Sequence, residues 1–208
     1  MNTFMNILCS KFETNVPILL REILESFPNV APMTVYRWIR TALDSSQLAK
    51  SRKGVYYLPT ETRFGPSTLS DADIIRKKYL SENGKVYGYI TGLALENRVG
   101  LSTQMPGTLE IVTNQEARRS RSIKPFGGYR EIILKKPRVP VNSNNVATLE
   151  FLDLMTYAPI DRLEADERQA LKTLAANVDR TKMLEYVKYY PRKTAVKILE
   201  SEASGVFT

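Results

Sequence analysis

Ile18, Leu19, Ile23 and Leu24 recur at helical spacing and predict a helix over 17–26, preceded by another over 3–13. The segment "SFPNVAP" interrupts that pattern with two prolines. A third helix is expected from near Pro32 to about Asp44, with Thr34 as its cap. "QLAKSRKGVYYLP" then reads as a β-hairpin turning at Gly54. Pro59, Gly65 and Pro66 mark a linker, placing a domain boundary near residue 60 and giving domains 1–60 and 61–208. Beyond it the pattern predicts helices over 71–82 and 92–99, and strands in "TLEIVTN" (108–114) and "YREIILKK" (129–136). From Val146 onward it turns helical, over roughly 146–157, 163–177, 179–188 and 192–202. The expected fold class is α+β, with the second domain helical at its C-terminal end.

Three helices followed by a hairpin is the order of a winged helix-turn-helix. Its third helix would turn Val35, Ile39, Ala42 and Leu43 to the core, leaving Thr34, Tyr36, Arg37, Arg40 and Thr41 outside. Arginines can grip guanine edges as a fork, while Thr and Tyr suit phosphates or a thymine methyl. Trp38, at the edge of the apolar stripe, is expected to close the core. Lys50, Arg52 and Lys53 would sit at the wing tip and neutralise phosphates, so their removal should reduce the salt dependence of binding. The plainer alternative is an ordinary amphipathic helix beside an ordinary basic turn.

Composition narrows the chemistry. Among 208 residues the net charge is +8, which invites an acidic partner, most simply double-stranded DNA. There is no histidine and one cysteine, Cys9, which excludes His-dependent triads, zinc sites needing several N or S ligands, and intrachain disulfides. No apolar run is long enough to span a membrane, and "MNTFMNILCSKFE" lacks a secretory lead, so a cytoplasmic protein is expected. Residues 118–138 carry eight Lys/Arg against Glu131 alone. Arg118, Arg119, Arg121 and Lys124 there form a secondary basic patch or a solvated loop, which Arg130, Lys135 and Lys136 would extend. Lys182, Lys188, Arg192 and Lys193 beside Tyr186, Tyr189 and Tyr190 suit either a nucleic-acid backbone or a solvated helix face.

The chain carries none of the catalytic motifs that its residue types allow. "GPSTLSDADI" places Ser67 too close to Asp71 for a nucleotidyltransferase motif; Ser70 and Asp73 read as a capping box. No acidic residue is followed two places later by Lys, and neither phosphate-loop pattern occurs. The expectation is a protein without enzymatic activity, metal or cofactor. In "YGYITGLALENRVGLSTQMP", Thr91 is expected to cap a short helix with Gly92 just inside it, and Gly100 to end it in the left-handed conformation. Only Arg98 lies near those turns, so the stretch reads as scaffold, with Asn97, Thr103 and Gln104 as candidates for partner recognition.

That same stretch resembles the signature region of the AbiEi-type antitoxins. Gly88, Thr91, Gly92, Leu93, Leu95, Asn97, Gly100, Leu101, Thr103, Gln104 and Pro106 match, followed by Glu110, Thr113 and Asn114. "GVYYLPTETRFG" (54–65) is similar to the family's wing strand and exit. The resemblance is specific over 54–114 and fades after about residue 140. It implies a bacterial type IV antitoxin that counters a nucleotidyltransferase-like toxin, without requiring a stable complex with it. It also implies repression of its own operon through inverted repeats in the promoter. Two other readings stay open: a transcription regulator whose second domain senses a ligand or oligomerises, and an enzyme acting on nucleic acid through Asp71, Asp73, Glu96 and Glu110.

Overall fold

The structure is a computed structural model that describes residues 2–124, 126–159 and 163–203. The chain divides into two compact units, residues 1–78 and 79–208, and is mixed α and β throughout. The turn residues 59–66 lie inside the first unit. Tyr57 donates to the Ser67 carbonyl at 2.7 Å, and Asn15 holds both Thr60 and the Ser67 hydroxyl. Those bonds tie the segment to the first unit's own sheet and N-terminus.

In the first unit α1 (Asn2–Lys11) buries Phe4, Met5 and Leu8. The helix expected over 17–26 is divided. Ile18–Leu19 form strand β1, and only Leu20–Glu25 form α2. The reason is a partner distant in sequence: Ile18 pairs with Tyr56 and Leu19 with Val55. Glu22 reaches back to accept from the Leu19 N–H at 2.6 Å, closing the first turn of α2. Its other oxygen takes Lys77 at 2.9 Å in a largely buried ion pair.

Helix α3 (Pro32–Asp44) has Pro32 in its first turn, where a missing N–H costs nothing. Its cap position is Ala31, so Thr34 lies inside the first turn and is not the cap. Val35, Ile39 and Ala42 are fully buried, as the periodicity predicts, and Leu43 packs against them half-buried. Trp38 does close the core, tilted against Phe4 and edge-on to Phe27 with ring centroids 5.7 and 5.6 Å away. Strands β2 (Ala49–Arg52) and β3 (Val55–Tyr57) form the expected hairpin and complete a three-stranded sheet in the order β1-β3-β2.

A small hairpin, β4 (Glu61–Thr62) and β5 (Gly65–Pro66), leads to α4 (Asp71–Ile75). Ser70 caps α4 by accepting from the Ala72 N–H at 3.2 Å, while Asp73 turns to Arg76 at 2.8 Å. Where the helix was expected to run to 82, a π-helical turn over 76–80 leads into β6 (Ser81–Glu82) and β7 (Lys85–Val86). Their Asn83-Gly84 turn has both φ angles positive, the geometry a two-residue hairpin demands.

The second unit is built on a four-stranded sheet in the order β10-β11-β9-β8. Its strands are β8 (Gly88–Thr91), β9 (Thr108–Thr113), β10 (Ser120–Ile123) and β11 (Glu131–Lys135). β9 and β11 run parallel, and the outer pairs run antiparallel. Residues 118–122, expected as a loop or patch, thus contribute an edge strand, with Ser120 opposite Lys135. Their exposed, cationic character hid the strand, and is what keeps a sheet edge from pairing with other chains.

Between β8 and β9 lies α5 (Leu93–Arg98). Its cap is Gly92, at φ 65° and ψ −151°, a conformation open essentially to glycine alone. Thr91, expected there, is instead buried at the end of β8. Gly100 ends α5 as anticipated. It lies at φ 80°, with its N–H on Asn97 and the Leu101 N–H on Glu96, the paired bonds of a left-handed helix stop.

Helices α6 (Val146–Tyr157), α7 (Ala165–Ala175), α8 (Arg180–Tyr186) and α9 (Arg192–Ala203) close the chain. Phe151, Leu152 and Met155 of α6 are fully buried against Leu171, Met183 and Ile198. α6 also packs on β8, where its Asp153 accepts from Tyr89 and Thr91. Among the described residues, no helix is long and apolar enough to cross a membrane.

Candidate nucleic-acid interface

Burial of Val35, Ile39 and Ala42 fixes the rotation of α3, and so fixes what its other side presents. Tyr36, Arg37, Arg40 and Thr41 are exposed, while Thr34 is half-buried. Arg37 and Arg40, three positions apart, share one stripe of the helix. The Arg40 side chain makes no hydrogen bond or ion pair among the described residues. Arg37 only approaches the Thr34 hydroxyl, at 3.5 Å. The Thr41 hydroxyl donates to the Arg37 carbonyl at 3.1 Å. Met33, 75% exposed at the start of α3, belongs to the same surface, although apolar spacing gave no reason to single it out.

The hairpin residues separate into two kinds. Lys50 and Lys53 are exposed and have no carboxylate partner among the described residues. Arg52 is half-buried and grips Asp71 through Nε at 3.2 Å and Nη2 at 2.7 Å. Its guanidinium holds α4 against the hairpin, so it is not a free phosphate contact. Phe64, at the tip of the β4–β5 turn, is fully exposed and was also missed, since a lone aromatic in a turn carries no pattern.

The four secondary basic residues do not share one surface role. Arg121 pairs with the buried Glu116 at 2.8 Å, and the Arg118 backbone N–H donates to the same carboxylate at 3.0 Å. That N–H and then the Arg121 guanidinium hold the Glu116 carboxyl below its ordinary range. Arg119 and Lys124 are exposed and make no ion pair among the described residues. The late tyrosines do not form an open stacking strip either. Tyr190 is buried and Tyr186 half-buried, Lys188 lies 5.1 Å over Tyr189, and Lys182 is held by Asp179 and the Asn144 carbonyl.

Three of the four carboxylates weighed as catalytic are engaged in ion pairs. Asp71 takes Arg52, Asp73 takes Arg76, and Glu110 takes Lys135 at 2.5 Å. Burial, then Glu110, pushes the Glu96 carboxyl up. Among the described residues no group of three or more Asp, Glu or Cys is placed to hold a metal ion. Asn97 braces the loop after α5, its Nδ2 donating to the Ser102 and Gln104 carbonyls, whereas Thr103 and Gln104 are exposed.

Neither a protein-family model nor a curated protein sequence matches the chain. Among solved structures it is similar to the RV2827C protein from Mycobacterium tuberculosis, at 12% identity and a TM-score of 0.47. That likeness spans 97% of this chain and 75% of the other, and is too distant to carry an argument about what the chain does.

Proposed function

We propose that this chain is a DNA-binding antitoxin of the type IV class. In this reading the first unit is a winged helix-turn-helix that represses the chain's own operon, and the chain counters a nucleotidyltransferase-like toxin. One observation carries the DNA half. Arg37 and Arg40 stand on the outer face of α3, near in sequence to a hairpin bearing Lys50 and Lys53, and these cations are not spent on carboxylates. The element order α1-β1-α2-α3-β2-β3, with β1 as the third strand of the sheet, supports the same reading. Arg37 and Arg40 would read guanine edges in the major groove while the hairpin lysines neutralise phosphates beside it. The antitoxin half rests on the resemblance over residues 54–114.

A mobility-shift assay with the chain's own upstream DNA, against a scrambled duplex at moderate salt, tests the repressor. Equal binding to both duplexes would sink it. Co-expression with the neighbouring gene product, scored by growth, tests the antitoxin. A toxic neighbour that stays toxic would leave the second reading, a regulator without a toxin, which the cleft described below favours.

The hairpin residues should separate in the same assay. Lys50→Ala and Lys53→Ala should each lower the salt slope of binding by about 0.9 and leave the melting temperature unchanged. Arg52→Ala should instead lower the melting temperature, because it removes the ion pair that ties the hairpin to α4. A slope change for Arg52→Ala without a change in melting would contradict the assignment.

A further inference from the structure

On one face of the second unit's sheet, at the carboxyl ends of the parallel strands β9 and β11, lies a cleft of about 680 Å³. That size is typical of small-ligand sites. Its floor carries Tyr89, Val112 and Ser120, and α6 contributes Asp153 and Tyr157. Arg119, Lys135, Lys136 and Arg138 line it as well, so four cations face one carboxylate.

The cations are held differently. Lys135 is tied to Glu110 and lies 5.5 Å over the Tyr157 ring, and Arg138 stacks 5.0 Å over Tyr190 and donates to the Tyr189 carbonyl. Arg119 and Lys136 make no ion pair among the described residues, so their charge is available to a ligand. Asp153 is 5% exposed and is not a surface charge that happens to lie near the rim. Its Oδ2 accepts from Tyr89 at 3.0 Å and Thr91 at 2.8 Å, while Oδ1 accepts no hydrogen bond from the described residues. Burial pushes its carboxyl up, and the two hydroxyls, Arg138 and Lys135 pull the other way.

We infer that this cleft binds a small phosphorylated molecule of sugar-phosphate to nucleotide size. Its phosphate lies on Arg119 and Lys136, and a hydroxyl or amino group donates to Asp153. A track for a nucleic-acid backbone explains the site less well. A carboxylate in the lining of such a track repels successive phosphates, whereas a molecule with a phosphate at one end and a donor at the other uses both charges. The inference does not rest on the DNA reading, since it concerns the second unit and probes that contain no duplex.

Calorimetry on the full chain at low salt tests it, with ribose 5-phosphate, adenosine monophosphate, ribose and inorganic phosphate as probes. One or both of the phosphorylated organic probes should bind saturably at millimolar concentration or below, ribose should not, and inorganic phosphate should bind more weakly. Whichever of the two binds more tightly separates a sugar phosphate from a nucleotide. Arg119→Ala with Lys136→Ala, both at exposed positions, should weaken the better probe about tenfold or more. Asp153→Asn keeps an acceptor for Tyr89 and Thr91 but turns an amide donor to the cleft. It should weaken the organic phosphates and leave inorganic phosphate unchanged or tighter, a reversal that a folding defect does not produce. A melting curve on each variant checks folding, and the Arg119/Lys136 pair decides the matter if Asp153→Asn unfolds. The inference is overturned if neither organic phosphate binds, if the double variant binds them as tightly as the parent, or if only a single-stranded oligonucleotide binds.

Discussion

Replacing Arg37 and Arg40 together by alanine should abolish most of the chain's preference for its own upstream DNA. A forked arginine–guanine contact discriminates by about 1–3 kcal/mol, so losing two removes roughly 30-fold to 20,000-fold of specific affinity. Binding to a scrambled duplex should fall far less, because the hairpin lysines remain. Stability should hardly change, since Arg40 has no partner among the described residues and Arg37 only a long contact to Thr34. Surface changes of that kind usually stay within about 0.5 kcal/mol. Fluorescence anisotropy on both duplexes at one salt concentration measures the ratio directly. Equal losses on the two duplexes would show that these arginines touch phosphates, not bases. No loss on either would remove α3 from the interface.

Gly88→Ala should be the most damaging single methyl in the second unit. A Cβ at Gly88 would lie 2.1 Å from the Tyr79 carbonyl oxygen and 2.7 Å from that of Val112. Both are backbone atoms, and Gly88 is registered opposite Thr113, the first pair of the β8–β9 ladder. A side chain could rotate aside, but a paired strand moves only by breaking its ladder. Overpacking ordinarily costs about 1–3 kcal/mol and more where backbone must shift, so a loss of about 3 kcal/mol or more is expected. Gly84→Ala is the control. Its φ is 75° and nothing lies within 4 Å, so only the left-handed backbone penalty of about 1–2 kcal/mol applies. Urea unfolding of the two variants should therefore rank Gly88→Ala well below Gly84→Ala. The reverse order would mean that the β8 backbone yields more easily than its pairing implies.

The antitoxin reading would gain most from separating its two halves. The units meet at residue 78, so the informative division is there and not at the proline-rich turn near residue 60. If residues 79–208 alone rescue growth beside a toxic neighbour, antitoxicity belongs to the second unit, and repression to the first.

The amino-acid sequence alone determined the features whose causes are local. The spacing of Val35, Ile39 and Ala42 sets the inner face of α3 and thereby the outward set Tyr36, Arg37, Arg40 and Thr41, because a helix satisfies its own backbone within four residues. The same locality made α6 to α9, the hairpin at Gly54 and the helix stop at Gly100 legible, and the lack of histidine excluded a whole class of chemistry. Tertiary structure decided everything that depends on a partner far along the chain. Ile18 and Leu19 have helical spacing, yet become a strand because Val55 and Tyr56 offer a ladder. Ser120–Ile123 looks like a solvated basic loop, and becomes an edge strand on β11. Thr91 has the chemistry of a helix cap, but its hydroxyl goes to Asp153, 62 residues away, and Gly92 takes the cap position. Arg52 looks like one more wing-tip cation until Asp71, 19 residues on, claims it. The cleft is the extreme case. Residues between 89 and 157 converge on it only because β8, β9, β11 and α6 pack together, and no spacing along the chain encodes that convergence.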